Sequence, residues 1–408
     1  MAPHEPLPDI TAPDIDRCFQ THVFEKTFSA AGCIASVGET IYHRQIYGTL
    51  HQPPPLAKVR PGVLFDLSSL TVPLATGLAA LYLVSRSRLD LGAPLTRTLP
   101  QFRGVAHFED VTVDMLLDHT SGLPGRRALW EAVAEHDAKV PKHQQLMGTP
   151  QGITFAKERV AALRLQNDPG TVCEVSELNG LVLGWVIEEA TGKPLDEFLL
   201  REIYRPLGLH EDLFFVRHPD KRAMVQLRRR SFAATAQCDW RDRLIQGEVN
   251  DRNAWALGGV CGHAGLFGTV DGVWRLVSKL WASYKGESRD FLGGTVRRFW
   301  TRSRRLRGLT RALAWDTPPA HGSPAGKRFS RNAVGALGEH GGSIWIDLST
   351  DVIGVVLTNH AHPTLDEKDE AIAKFRPRVF ELIAKEGETI GDKDRVTGAA
   401  AFYRGPGS

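Results

Sequence analysis

The chain has 408 residues, of which 42% are hydrophobic and 24% are charged. This composition is typical of a globular protein with enough apolar residues to build a sizeable core. The 50 basic and 47 acidic residues leave a net charge of only +3, which argues against a nucleic-acid-binding protein with its strong basic excess. No apolar run reaches the roughly 18 residues of a membrane span, and the N-terminus has neither the basic nor the apolar region of a signal peptide. A cytoplasmic protein without a membrane partner is therefore expected.

Cysteine usage predicts neither a zinc site nor a disulfide framework. The number of cysteines is odd, their spacings are wide, and no two form a CxxC pair; they are Cys18, Cys33, Cys173, Cys238 and Cys261. Reduced, buried thiols are the simplest interpretation. No cofactor motif is present either, so neither a metal nor a cofactor is expected.

The N-terminal part of the chain is predicted to pass from an irregular segment into a hairpin and then a buried helix. Residues 1–29 begin with a stretch rich in Pro and Asp and are predicted to be irregular. Residues 33–48 alternate apolar and polar side chains around a Gly-Glu-Thr turn, which indicates a β-hairpin. Residues 68–85 are apolar and rich in small side chains, as in a buried helix, and Pro73 is tolerated in its first turn.

Helices dominate the middle of the chain, and strands return near the C-terminus. Helices are predicted to start at residue 111 and to cover 178–191, 194–207 and 370–384, with a tight glycine-rich loop at 258–267. Residues 342–347 and 352–359 are predicted to be two strands of an antiparallel hairpin. The tail, 386–408, has few apolar residues and is predicted to be mobile.

This order of elements predicts an α/β (α+β) fold. Strands at both chain ends suit one antiparallel sheet built from the N- and C-terminal segments and flanked by helices. The predicted domain spans 30–385 and contains a mostly helical insertion at about 95–245.

An arginine-rich segment, 297–311, is the one local concentration of charge. Its arginines are Arg297, Arg298, Arg302, Arg304, Arg305, Arg307 and Arg311. A solvated helix face is the first interpretation, and a docking patch for an anionic partner is the alternative.

Several segments resemble a known family, in that family's order. FDLSSLT (65–71), followed by an apolar helix, is similar to the nucleophile motif of the serine β-lactamases, penicillin-binding proteins and related esterases and peptidases. LLDHTSGLP (116–124) is similar to the loop that follows a helix in this family. The other similar segments are 169–209, 247–269, 326–330 and 343–359. Segment 247–269 is rich in glycine and resembles the subfamily nearest to the class C enzymes. The resemblance covers residues 30 to 385 and implies a β-lactamase/transpeptidase-like fold.

The same resemblance implies that most catalytic side chains are absent. In active members a lysine stands three residues after the serine, on the same helix face, and takes part in activating it. Here the serine is Ser69 and the lysine position is Val72. The family's tyrosine, which passes the proton to the leaving group, corresponds to Val175 in Val175-Ser176-Glu177.

The third motif, Lys-Thr-Gly or His-Thr-Gly on the strand that lines the cleft, is also degenerate. It corresponds to Ala336-Leu337-Gly338, in which only the glycine remains. An oxyanion hole built from backbone N–H groups near Ser69 and Glu339 does not depend on side-chain type and is expected to survive. The residues expected to line the resulting pocket are Val72, Val175, Glu177, Ala336, Leu337, Gly338 and Glu339.

Three hypotheses follow for the function. The first is a catalytically impaired homologue whose cleft binds a small-molecule or peptide-like ligand or a protein partner, with Ser69 acting as a helix N-cap. The second is an active serine hydrolase with a substitute base; Glu177, Glu339, His340 and His119 are the candidates. The third is an interaction protein that uses segment 297–311.

Two of the candidate bases and one further histidine also have structural interpretations. His340 suits a solvated turn residue, and Glu177 suits a residue that pairs or caps at a helix start. His263, in the glycine-rich loop, suits a core histidine satisfied by the backbone.

Overall fold

The structure is a computed structural model that describes residues 7, 9–51, 57–218, 230–363 and 369–401. The strands are β1 (Ala30–Val37), β2 (Thr40–Gly48), β3 (Phe65–Asp66), β4 (Leu213–Phe215), β5 (Ala236–Cys238), β6 (Arg243–Ile245), β7 (Leu266–Gly268), β8 (Val334–Leu337), β9 (Ser343–Ile346) and β10 (Val352–Thr358). The α-helices are α1 (Pro13–Phe24), α2 (Gly77–Val84), α3 (Leu95–Thr98), α4 (Val113–Leu117), α5 (Leu129–Asp137), α6 (Pro150–Ala161), α7 (Glu177–Thr191), α8 (Leu195–Leu199), α9 (Arg252–Ala256), α10 (Val270–Lys285), α11 (Gly293–Trp300) and α12 (Asp369–Ala401).

One antiparallel sheet joins the two ends of the chain. Its strand order is β2-β1-β10-β9-β8, and the central pair aligns Ala31 with Thr358 and Val37 with Val352. Helices α1 and α12 pack on one face, and α10 contacts both central strands. The predicted fold class, the N-terminal hairpin and the C-terminal hairpin are confirmed.

The middle of the chain is mostly helical but contains short strands. Helices α3 to α8 lie between residues 95 and 204, while β4, β5 and β6 fall in the last part of the predicted insertion. β4 joins β3 and β7 in a small second sheet. Helix α7 is buried over most of its length, and its residues Gly180 and Gly184 allow the glycine-rich loop to approach: a Cβ at Gly184 would lie 2.9 Å from the Cα of Gly262.

The segment predicted as one buried helix, 68–85, is helical but irregular. It begins as a 3-10 turn at Ser68–Leu70, continues as a π-helical stretch at Val72–Thr76 and becomes α-helical from Gly77. Pro73 supplies no N–H to the helical ladder, which is consistent with the departure from α geometry at this point.

The prediction that residues 1–29 are irregular is wrong for residues 13–24, which form α1. Pro13 stands at the helix start, and Asp14 and Asp16 occupy the first turn, where their charge favours the helix dipole. Ile15 and Phe19 are buried, and the Phe19 ring stacks on that of Tyr47 at a centroid distance of 4.5 Å. Tertiary packing therefore stabilises a helix in a sequence with little helical propensity.

The C-terminal helix is longer than predicted. Helix α12 continues past Ala384 to Ala401, so most of the predicted mobile tail is helical; residues 402–408 lie outside the described residues. No helix in the described ranges is long and apolar enough to cross a membrane. The cytoplasmic location stays a prediction.

The first interpretation of the arginine-rich segment, a solvated helix face, is wrong. Only its first residues belong to α11, and several of its arginines bind within the chain. Arg305 pairs with Asp114 and Asp118, and Arg311 pairs with Asp316.

A buried ion pair ties β2 to α10 beneath the sheet. The Arg44 guanidinium donates from Nε and Nη2 to the two carboxylate oxygens of Asp271 at 2.8 and 2.7 Å, and the Arg44 side chain is only 1% exposed. Its remaining partner, Asp9, is 60% exposed. The bidentate geometry with the buried carboxylate compensates for the loss of water around the guanidinium.

Substitution Asp271→Asn is expected to lower the free energy of unfolding by about 3 kcal/mol, because it leaves a buried guanidinium without its charged partner. Asp9→Asn is the matched control and is expected to cost less than about 1 kcal/mol, since its carboxylate is solvated. Urea unfolding followed by circular dichroism measures both; equal losses would contradict this assignment.

Candidate functional site

The predicted site residues line one cleft. The cleft has a cavity of about 110 Å³ between the Ser68–Ser69 turn, the start of α7, the glycine-rich loop and the end of β8. The predicted residues that line it are Ser69, Val72, Val175, Glu177, Ala336, Leu337 and Glu339. Gly338 lies behind them, against Ser68.

Ser69 is presented on a tight turn after β3. The preceding residue, Ser68, is buried with a φ of +45°, and its N–H donates to Asp66 Oδ1 at 2.9 Å. Ser69 itself is exposed. Among the described residues, its hydroxyl has no hydrogen-bond partner and caps no helix, so the expected N-cap role is wrong. The turn conformation places Ser69 at the surface of the cleft.

The backbone of β8 approaches the Ser68–Ser69 turn, where the oxyanion hole is predicted. A Cβ at Gly338 would lie 3.0 Å from Ser68 Oγ and 3.2 Å from the Leu67 carbonyl, so the absence of a side chain lets β8 approach this turn. The His340 N–H donates to Ser68 Oγ at 3.4 Å. Ser69 stands at the first turn of its helix, where N–H groups have no intrahelical partner, and Glu339 lies in the connection between Gly338 and His340.

The substituted motif positions give this cleft an apolar wall. Val72 lies beside α7, since a Cβ at Gly180 would come within 3.1 Å of Val72 Cγ2. Val175 is 61% exposed at the cleft entrance. Ala336 is buried on β8, and Leu337 is half-buried. These side chains neither donate nor accept a proton.

Two of the candidate bases are engaged in structural hydrogen bonds, His340 as a buried residue and His119 as a half-buried one. His340 is 3% exposed, with Nε2 3.2 Å from Asn250 Nδ2 and Nδ1 3.3 Å from the Asp66 carbonyl, so its interpretation as a solvated turn residue is wrong. His119 Nδ1 accepts from the Ser176 N–H at 3.3 Å and from Asn179 Nδ2 at 3.0 Å.

Burial lowers the pKa of His119 to about 3, aided by the nearby charge of Arg311. The imidazole of His119 is therefore neutral at physiological pH, and its Nδ1 is already occupied as an acceptor.

A histidine–carboxylate pair occupies the wall next to Val72. His263 is buried, and its Nε2 lies 3.0 Å from Asp251 Oδ1. The sequence interpretation expected the backbone to satisfy His263, but its partner is the Asp251 side chain. A Cβ at Gly180 would lie 2.9 Å from His263 Cβ, so His263 and Val72 adjoin the same point of α7.

The charges of this pair stabilise each other. Burial lowers the pKa of His263, but Asp251 and, more weakly, Glu177 outweigh it and raise that pKa above its usual value. Burial raises the pKa of Asp251, but His263 and the hydrogen bond from the Ala254 N–H lower it further than burial raises it. An imidazolium beside a carboxylate is the favoured state.

Arg126 spans the entrance of the cleft. Its guanidinium donates to Glu177 Oε1 at 2.8 Å and to Glu339 Oε1 at 2.9 Å. Burial raises the pKa of Glu177 in spite of His263 and Arg126. Glu177 thus pairs at a helix start as predicted, and both acidic candidate bases, Glu177 and Glu339, are held by one arginine.

Sequence reasoning missed Arg126 and Asp251. Asp251 lies in segment 247–269, which resembles the family, whereas Arg126 lies two residues beyond segment 116–124; neither occupies a motif position. The one local indication was Asp251 before α9, where its carboxylate accepts from the Ala254 N–H at 2.6 Å as an N-cap.

Three side chains of this wall could hold a metal ion. Glu177, Asp251 and His263 each offer a ligand atom within 4.8 Å of the others. In the structure these groups are neutralised within the protein, since His263 pairs with Asp251 and Arg126 pairs with Glu177.

The substitution Asp251→Asn is expected to lower the pKa of His263, because the carboxylate is lost while burial remains. The pair stabilises the folded state when His263 is charged, below its raised pKa, and this contribution is lost as pH rises through that pKa. The loss of stability in Asp251→Asn should therefore be larger near pH ~6 than near pH ~9.

A histidine-selective NMR titration of His263 and urea unfolding at the two pH values test this. A stability loss that does not change with pH would contradict the charged pair.

Comparison with known proteins places this cleft in a family. The family model described as beta-lactamase matches residues 15–376. The N-acetylmuramyl-L-alanine amidase of Bacillus subtilis (strain 168) is 29% identical over 359 residues, which cover 80% of this chain and 73% of that protein.

Solved structures share the fold at low identity. EstCE1, described as a hydrolase with promiscuous acyltransferase activity, superposes with a TM-score of 0.68 at 18% identity over 91% of this chain and 98% of its own. A class C beta lactamase superposes with a TM-score of 0.65 at 16% identity over 90% of this chain and 97% of its own. Together with the family model, these matches show that the chain belongs to the beta-lactamase family.

Proposed function

We propose that this chain is a catalytically impaired member of the beta-lactamase family, whose cleft binds a small ligand instead of hydrolysing it. The observation that carries the proposal is the surroundings of Ser69. Among the described residues, no basic group is hydrogen-bonded to its hydroxyl, and the positions of the family's lysine and tyrosine are Val72 and Val175.

The loss of a base affects rate more than binding. A hydroxyl without a base near it is a weak nucleophile, and general base catalysis contributes roughly 10²–10⁴-fold. Groups that act as a unit lose nearly all of their effect when one is removed. The backbone N–H groups near Ser69 and Glu339 require no such side chain, so an oxygen of a ligand can still be bound there.

The cavity restricts the ligand to a small molecule or to one end of a larger one. A volume of about 110 Å³ is well below the roughly 300–1,000 Å³ of a usual ligand site. Arg126 narrows the entrance by joining Glu177 and Glu339. Its side chain is 66% exposed, and an exposed pair of this kind is weak enough for a ligand to displace.

The chemistry of the cleft walls indicates which functional groups the ligand has. Val72, Val175 and Leu337 suit an aliphatic group, while the oxyanion hole suits a carbonyl or carboxylate oxygen. A short peptide-like or acyl compound combines both, and it would replace the Arg126 bridge with its own contacts.

A second candidate function is an active serine hydrolase in which the Asp251–His263 pair replaces the lysine. The position of His263 favours it, since His263 and Val72 adjoin the same point of Gly180. Against it, no hydrogen bond joins His263 to the Ser69 hydroxyl among the described residues, and Asp251 raises the pKa of His263, which favours the protonated imidazole over the base form. If Ser69 proves reactive, His263→Asn should abolish that reactivity under this second account.

The variant Val72→Lys/Val175→Tyr tests the proposal by restoring the two proton-transfer groups. Val175 is largely exposed and Val72 half-buried, so both sites can accept the larger side chains. Wild type and Ser69→Ala are expected to hydrolyse p-nitrophenyl acetate at the same background rate, and the restored variant about 100-fold faster.

The control is Val72→Met/Val175→Phe, which adds similar volume without an ionisable group and should stay at background. Adding Ser69→Ala to the restored variant should remove its gain. Turnover by the wild type that depends on Ser69 would contradict the proposal.

A further inference from the structure

A second cavity lies away from the cleft, in the arginine-rich region. It has a volume of about 490 Å³ and lies between the loop that follows α11, the residues just before β8 and the turn after β9. Arg302, Arg304 and Arg331 line it, with Trp300 and Thr317. We call this cavity the arginine groove.

The wall of the arginine groove carries positive charge that no acidic side chain of the wall neutralises. It contains three guanidinium groups and no Asp or Glu. Within the described ranges, none of these arginines forms an ion pair, in contrast to Arg305 and Arg311 of the same segment. Arg302 donates one hydrogen bond, to the Pro318 carbonyl. Unpaired positive charges in a concave wall attract a multiply charged anion.

The wall also contains buried polar groups without partners. Trp300 and Thr317 are 3% and 4% exposed, and the Trp300 indole N–H and the Thr317 hydroxyl have no hydrogen-bond partner in the described part of the chain. Buried donors are rarely left unpaired, and each one costs roughly 1–3 kcal/mol. Both donor atoms are enclosed by the protein, so a bound oxyanion would act on the groove by supplying countercharge to the arginines.

We propose that the arginine groove is a binding site for a phosphate group. Phosphate combines two negative charges near neutral pH with several acceptor oxygens, and guanidinium groups bind it in a planar, bidentate manner. A carboxylate carries one charge and two oxygens, so it would satisfy fewer of the groups in this wall. The site is separate from the cleft and independent of whether Ser69 reacts.

Isothermal titration calorimetry at low ionic strength, near pH ~8, tests the site with inorganic phosphate, phenyl phosphate and acetate. Both phosphate probes are expected to bind at one site per chain, and acetate at least about tenfold more weakly, because it has less charge. Equal affinity for the two phosphate probes would show that the groove recognises the phosphate group alone, as in free inorganic phosphate. Tighter binding of phenyl phosphate would identify a phosphate carried on an organic molecule.

Arg304→Gln and Arg331→Gln are expected to weaken phosphate binding about tenfold each, since each removes a charge-assisted hydrogen bond. Arg298→Gln is the matched control: it is an exposed arginine of the same segment that lies outside the groove, and it should bind as the wild type does. Circular dichroism verifies that the variants fold.

The proposal is overturned if neither phosphate probe binds saturably, or if Arg304→Gln and Arg331→Gln bind as the wild type does. Loss of binding in Arg126→Gln, with the groove variants unaffected, would also overturn it, because it would place the anion in the cleft. Ser69→Ala should leave phosphate binding unchanged, which keeps this test distinct from that of the proposed function.

Discussion

The close approach of β8 to the Ser68–Ser69 turn determines the form of the cleft. Gly338 makes it possible, because a side chain there would meet Ser68 Oγ and the Leu67 carbonyl. Asp66 fixes the turn from below: its two carboxylate oxygens accept from the N–H groups of Ser68 and Asn250 at 2.9 and 2.8 Å. Since β8 belongs to the sheet that joins the two chain ends, these backbone contacts assemble the cleft without any catalytic side chain.

The charged side chains of the cleft are paired with one another. The resemblance to active members places a lysine next to the serine; here that place is apolar, and His263 and Arg311 also line the cleft. The charge of His263 is matched by Asp251, and the charge of Arg126 is matched by Glu177 and Glu339. The Arg311 charge is likewise matched by Asp316, so the cationic side chains named here are paired with carboxylates of the protein. A ligand that enters the cleft must displace these ion pairs or fit beside them, which favours a small ligand.

The motif positions and the sheet could be predicted from the sequence, because both depend on local pattern. The apolar strands β9 and β10 and the hairpin of β1 and β2 follow from alternation and turn residues. The ordered motif segments allowed Ser69, Val72, Val175 and Ala336–Gly338 to be placed in one cleft, where the structure finds them.

Long-range contacts explain what the sequence could not show. Helix α1 forms because Ile15 and Phe19 pack on the sheet, although its sequence favours a loop. His340 is buried because Asn250 and Asp66 come from distant segments to meet it. The bridge from Arg126 to Glu339 spans 213 positions of the chain, so no local pattern indicates it. The position of such a pair becomes known only when the fold is known.

The central claim is that Ser69 lacks an activating base, and its reactivity toward a fluorophosphonate tests this most directly. Intact-mass analysis of the folded wild type after incubation, with Ser69→Ala as the control, should show no adduct that depends on Ser69. A stoichiometric adduct on the wild type that is absent from Ser69→Ala would contradict the account and show that the serine is still activated.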